Sequence, residues 1–481
     1  MAYRGRHRRR KKGRALRASL AGTALALTVA AGLISTSQAA SSDNPGALAA
    51  LGSSSETDKL QLHENLVGED TLDALESGMG GDVGVDAVLK NANHSMRGRA
   101  DCSATEKAAL PVEPDATRVY CWADNDARTQ KWQPQSVTTS GDSDEDGRWG
   151  SNRVILSGWT HDGQAGGAQE EDKGLARVAF IDANDPANLK YRWVLLVAPL
   201  DGGKDFEAVR SRIGGMVWYQ DKLIVTARNG TAGDDALFVF DMNRILRADV
   251  TSGAVGKVKD GWSAHGYRYV MPAMGSYSLT GGACDATTND RVPCFASVSL
   301  DRTSTPHSLV ANEWFRPDSG EPGRVWRYDY STASDRTGLL ATDRRGRVHA
   351  DEAYKTEAVG LQGVLSHRPS GASEPNWYAG HAPDARGEHG TLWRQNKSAA
   401  KAAKCGAEES YTCWGRDTES LSYWQETGEL WTLTGRSATA SGRANELPGR
   451  AADRATAWQP GTVSERVLYA VPLSSVDHSL E

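Results

Sequence analysis

Beyond residue 34 the sequence lacks any long apolar run. The most hydrophobic later stretch, Trp193–Leu200, is eight residues long and contains a proline, too short for a bilayer core that takes about 20 residues of helix. A surplus of positive charge is missing too. The chain holds 55 Lys and Arg against 61 Asp and Glu. The first 39 residues contain nine of the basic groups and none of the acids, which leaves 46 against 61, about −15, for the remainder. Nucleic acid and anionic lipid both require a basic surface, so neither is an expected partner. Sustained helical periodicity is absent, and so are the Gly-x-Ser-x-Gly, His-Glu-x-x-His and repeated Asp-box patterns that would name a hydrolase.

What is present begins with an export signal. Met1 to Arg17 carries seven Arg and two Lys, Leu20–Ile34 is uncharged and apolar, and Ser37-Gln38-Ala39 offers small residues for cleavage. A basic head, a short apolar middle and a small-residue cut site define a secretory signal peptide. Cleavage is expected after Ala39, by the Sec route. The C-terminus is polar and no Cys stands at the cut site for a lipid, so free release outside the cell is the expectation.

The six cysteines fall into three neighbouring pairs, Cys102 with Cys121, Cys284 with Cys294 and Cys405 with Cys413. An even count in an exported chain points to disulfides, and nearest-neighbour pairing closes three short loops. Zinc is disfavoured because no pair has knuckle spacing and no His accompanies them.

From Val119 to about Leu473 the pattern is of short strands broken by Gly, Asp, Asn and Pro. Arg177-Val178-Ala179-Phe180-Ile181 and Arg324-Val325-Trp326-Arg327-Tyr328 are typical. Two hairpins are explicit. One runs from Gly215–Tyr219 through Gln220-Asp221 into Lys222–Thr226, and the other from Ser420–Trp424 into Leu430–Thr434. Gly215 to Gly363 is 148 residues and Gly215 to Leu421 is 206, close to three and four units of about 50. An all-β β-propeller over residues 119–475 follows, with seven blades, or six with longer loops. A sandwich or jelly roll shares the alternation but not the period. Tryptophans recur along this region, fourteen of them from Trp132 to Trp458, and suit the packing between twisted sheets. Residues 40–118 are Ser-, Gly- and Asp-rich and read as a weakly ordered arm or propeptide.

Three stretches, Lys131–Ser140, Ile213–Val225 and Glu419–Trp424, resemble a group of secreted actinobacterial β-propeller proteins of the Streptomyces type. The resemblance covers most of 119–473 and rests on apolar and turn residues, not on catalytic ones. It implies a seven-bladed propeller without assigned catalysis, a protein partner such as an exoprotease, and surface glutamines that a transglutaminase would cross-link. Gln133, Gln135 and Gln362 stand in motif positions and are the candidates.

Among ligand signals, Asp142, Asp144 and Asp146 followed by Gly147 match the first half of a calcium loop, but Arg153 stands where its closing Glu belongs. An exposed acidic turn is the plainer interpretation. For catalysis, Glu357 and Glu419 are candidates at the mouth of a central channel, as a carboxylate pair for glycoside cleavage. Gln362, Asp417, His161, His265 and His381 stand in nearby segments. Three functions result: a non-catalytic, monomeric extracellular propeller that binds a protein, a carbohydrate-active hydrolase or lyase, and a sugar-binding module.

Overall fold

The apolar runs form strands, and the strands come in fours. The computed structural model describes residues 44–162, 172–227, 235–288, 290–315, 321–383, 388–435 and 464–480. The expected signal peptide and Trp458 lie outside these residues. Sheet 1 consists of Trp132–Thr139, Val154–His161, Ala176–Asp182 and Lys190–Leu200, each antiparallel to the next. Sheet 2 follows with Met216–Tyr219, Lys222–Thr226, Asp235–Asp241 and Tyr269–Leu279. Sheet 3 is Phe295–Asp301, Ser308–Glu313, Gly323–Asp329 and Ala350–Thr356. Sheet 4 is Leu361–His367, Asn376–His381, Thr391–Gln395 and Ala400–Lys401.

Sheet 5 is made from both ends of the described chain. Thr418–Trp424, Glu429–Thr434 and Val467–Pro472 take Arg118–Cys121 as their fourth strand. The first strand of each sheet contacts the first strand of the next, and that of sheet 5 contacts that of sheet 1. The first strands of sheets 3 and 5 also approach each other, so the middle is narrow.

The described residues hold five such four-stranded units where the 50-residue period predicts seven, and the last strands of sheets 1 and 2 pair in parallel, Val194–Val197 with Tyr269–Pro272, which joins those two units into one sheet. Gly215 and Gly363 are two sheets apart, not three, so the spacing per sheet is nearer 70 residues. Insertions explain the difference. A separate hairpin, Val255–Val258 with Gly261–Ala264, stands between the last two strands of sheet 2. A long excursion separates the last two strands of sheet 3.

Residues 44–117, expected to be weakly ordered, run along the outside of the sheets and pair with their edges. Ala49–Ala50 pairs with sheet 3, Leu62–Leu66 with sheet 2, His94–Ser95 with sheet 1 and Arg97–Gly98 with sheet 5. Leu48 N donates to Asn396 O beside sheet 4 at 2.9 Å. Exposed edges invite foreign pairing, and this girdle covers them. Its helices Glu69–Gly78 and Gly84–Lys90 bury Leu72, Leu75, Val85, Val88 and Leu89.

The disulfides are Cys102–Cys121, Cys284–Cys294 and Cys405–Cys413. The first ties the girdle to sheet 5. Among the described residues, no helix is long and apolar enough to cross a membrane.

Candidate functional site

The first strands are irregular at the end where they begin. Register shifts fall at Gln135 in sheet 1, Ala296 in sheet 3, Gln362 in sheet 4 and between Glu419 and Ser422 in sheet 5. Such bulges bend a strand and re-aim its side chains. Polar groups from second strands hold several of them. Thr160 donates to Gln135 Oε1 at 2.9 Å and accepts from Ile213 N of sheet 2. Thr432 donates to Ser420 O at 2.8 Å. In sheet 2 the chain instead uses Gly214-Gly215. A Cβ on Gly215 would lie 2.2 Å from Val298 N of sheet 3, so only glycine permits this approach.

This mouth gathers Gln135, Arg212, Asp417 and Glu419. The Arg212 guanidinium is 3.9 Å from Glu419 Oε1. Asp417 and Ser420 both have left-handed backbones, at φ 45° and 57°, a strained arrangement for non-glycine residues that brackets Glu419. Of the two carboxylates expected here, only Glu419 lies on a first strand, and it is buried. Glu357 is exposed, one residue past the last strand of sheet 3.

His161 and His265 come close enough to act on each other and share Asp172 as a neighbour, whereas His381 belongs to sheet 4. His161 is buried edge-on to Trp132, with ring centroids 5.0 Å apart, and burial lowers its pKa. His265 Nε2 is 3.3 Å from Asp172. His381 Nδ1 is bonded to Val359 O and pins the turn before Leu361.

At the far end of the first strands lies a polar network. Asp142 is 2% exposed and its Oδ2 accepts from Thr138 Oγ1 at 2.7 Å and Ser422 Oγ at 2.9 Å. Thr138 in turn accepts from Trp218 N, and Arg302 donates to Asp142 O. Burial raises the Asp142 carboxyl pKa to about 6. The calcium-loop interpretation therefore loses its first ligand to the interior. Asp144 and Asp146 cap neighbouring backbone amides. Among the described residues the only cluster of three potential ligands is Cys102, Glu106 and Cys121, whose sulfurs are joined in a disulfide.

The glutamines also differ from expectation. Gln135 is buried under Thr160, Gln133 Oε1 accepts from Arg466 at 3.1 Å, and Gln362 is half-buried. Gln220 and Gln425 are exposed instead, in matching turns after the first strands of sheets 2 and 5.

Two features had no motif to announce them. The Arg177 guanidinium is sandwiched between Trp132 and Trp193, at 4.0 and 3.6 Å from their centroids, and pairs with Asp126 at 3.0 Å. Nearby Arg466 is fully buried, and that burial, with Arg177 adding to it, lowers its pKa to about 9. An arginine inside the apolar run Ala176–Asp182 was the available signal. The second feature is a cavity of about 330 Å³ on the far end, bordered by Tyr219, Gln220, His307 and Tyr330. It is formed by loops of sheet 3 against the first hairpin of sheet 2.

No family model matches the chain, and no curated protein matches it.

Proposed function

We propose that the five sheets are blades of a β-propeller and that the chain is a secreted, non-catalytic binding protein. The cyclic contact of first strands supports the propeller, and a sheet shared by both chain ends is an economical way to close one. Three disulfides suit an oxidising compartment.

The observation that carries the binding role is that buried carboxylates around the axis are committed to neighbours. Glu419 faces Arg212, Glu313 takes two 2.6 Å bonds from Arg324, Asp301 pairs with Arg327 and Asp142 holds two hydroxyls. General acid–base work needs such a group within reach of substrate, and these reach each other instead.

The resemblance to the secreted propellers typified by dispase autolysis-inducing protein makes an extracellular protein, such as an exoprotease, the partner. Cross-linking by a transglutaminase then falls on exposed Gln220 and Gln425. Purified protein is assayed on extracellular polysaccharides beside Glu419→Gln and given transglutaminase with a labelled amine. The reading expects no turnover by either protein and label on those two glutamines. Turnover lost in Glu419→Gln would replace binding with catalysis, and label confined to other glutamines would remove the cross-linking assignment.

A further inference from the structure

Arginines collect where the parallel pairing between sheets 1 and 2 begins. Val194 of sheet 1 stands opposite Tyr269 of sheet 2. Arg192, two residues before Val194, lies on the same face as Tyr269, and its guanidinium is 5.7 Å from the ring centroid. On the other side of the Tyr269 strand, Leu246–Arg247 pairs with Arg247 directly across from Tyr269, which puts Arg247 on that face too. Arg268, one residue before Tyr269, brings its guanidinium to 5.9 Å from the same ring. Three segments of the chain thus set three cations round one tyrosine.

Ion pairing is the usual state of a half-buried arginine in this protein. Arg97, Arg118, Arg153, Arg244, Arg336 and Arg394 each meet a carboxylate within 2.9 Å. Arg192 is half-buried as well. Among the described residues, however, no carboxylate lies in ion-pair reach of Arg192, Arg247 or Arg268. Arg192 has only the Asn91 carbonyl, at 3.4 Å, just past the helix Gly84–Lys90. Asp82 is paired with Leu246, so it sits on the reverse face from Arg247. Burial lowers the Arg192 pKa and the charge of Arg268 lowers it further. In a chain with surplus acid, an uncompensated group of arginines calls for a counter-charge from outside.

We propose that Arg192, Arg247 and Arg268 form a receptor for a single phosphate group. A guanidinium fork matches phosphate oxygens as well as a carboxylate. One arginine meets one carboxylate in pairs such as Arg336 with Glu64, whereas the three positive charges gathered here suit a tetrahedral dianion. The guanidinium groups make the contacts, and Arg247 and Arg268 are exposed. Tyr269, 2% exposed, is their support and meets no ligand. Acid surplus over the rest of the chain repels a long polyanion, so the ligand is inorganic phosphate or a phosphate monoester. The site belongs to last strands, away from the first strands around the axis, and does not depend on the protein-binding role.

The test is calorimetry and phosphorus NMR on the full chain at constant ionic strength, with inorganic phosphate, glycerol 3-phosphate and, as control, acetate. Phosphate should bind saturably at one site and acetate should not. Binding of inorganic phosphate alone would identify the free ion as the ligand, and binding of both would identify the phosphate group of an ester. Arg192→Gln and Arg268→Gln should each weaken binding about tenfold or more. Without phosphate each should keep the wild-type Tm or exceed it, because the repulsion between the two cations is gone. Arg345→Gln, in an exposed turn beyond sheet 3, should bind as wild type does. No saturable binding of phosphate, equal binding of acetate, or undiminished binding by both Arg192→Gln and Arg268→Gln would overturn the site.

Discussion

Asp142 and Asp301 stand in comparable places, each buried at the far end of a first strand and each joining sheets that share no backbone pairing there. Their surroundings differ. Asp301 accepts from Arg327 at 3.2 Å and from Ser366 of sheet 4 at 2.7 Å, with Thr303 N on its other oxygen. Asp142 has neutral donors on its carboxylate, the hydroxyls of Thr138 and Ser422 from sheets 1 and 5 and the Thr139 backbone, while Arg302 reaches its main-chain oxygen. Both are almost fully removed from water. One buried acid is held by a cation and the other by neutral donors. The first should act as a fixed pin and the second as a pin that depends on pH.

The largest expected effect comes from breaking the fixed pin. Arg327→Ala leaves Asp301 buried beside two hydroxyls, of Thr303 and Ser366, and backbone amides, and should cost about 3–5 kcal/mol of stability. Urea unfolding measures it, and a loss under about 1 kcal/mol would show that the two aspartates are not so different.

Next is the titrating pin. A carboxyl raised from 3.8 to about 6 by folding contributes most below about pH 4, and the contribution is lost as pH rises to about 6. At roughly 1.4 kcal/mol per pK unit the loss is about 3 kcal/mol. Asp142→Asn does not ionise, so its stability relative to wild type should rise by that amount between pH 4 and pH 7. Parallel stability–pH profiles for the two proteins would contradict the assignment.

The smallest effect belongs to Ser422→Ala, which withdraws one of the two hydroxyls. It should destabilise by about 1 kcal/mol and move the upper edge of the titration to higher pH, because the ionised carboxylate loses a donor. A midpoint shifted downward in the same pH series would mean that Ser422 does not hold the charge.

Strands were legible in the sequence because their side-chain alternation is local. The hairpins at Met216–Thr226 and Thr418–Thr434 lie where pattern and turn residues put them. Sheet number was not legible, since it depends on how much chain is spent outside the sheets. The hairpin at Val255–Ala264 and the segment from Tyr330 to Arg347 lengthen two units without leaving a compositional mark. The girdle was missed because its buried apolar residues, such as Leu60, Leu62, Leu72, Val85 and Val88, come in short patches within a Ser-, Gly- and Asp-rich stretch, and its strands are only two to five residues long. Asp142 was misread for a related reason. Three alternating acids look alike in sequence, and only the end of the first strand turns one of them inward. The cavity wall drew no notice because Ser304, Ser334 and Tyr330 form no motif; two loops distant in sequence bring them together.

Closure by Arg118–Cys121 has a consequence for biogenesis. Its pairing partner, Val467–Pro472, is made more than 340 positions later. Sheets 1 to 4 can assemble in turn as the chain emerges, but the circle stays open until Val467–Pro472 arrives. A long-range contact of this kind slows folding and leaves intermediates with bare strand edges. The Cys102–Cys121 bond joins residues only 19 positions apart, so it can form before then and ready the receiving strand while the last one is still to come.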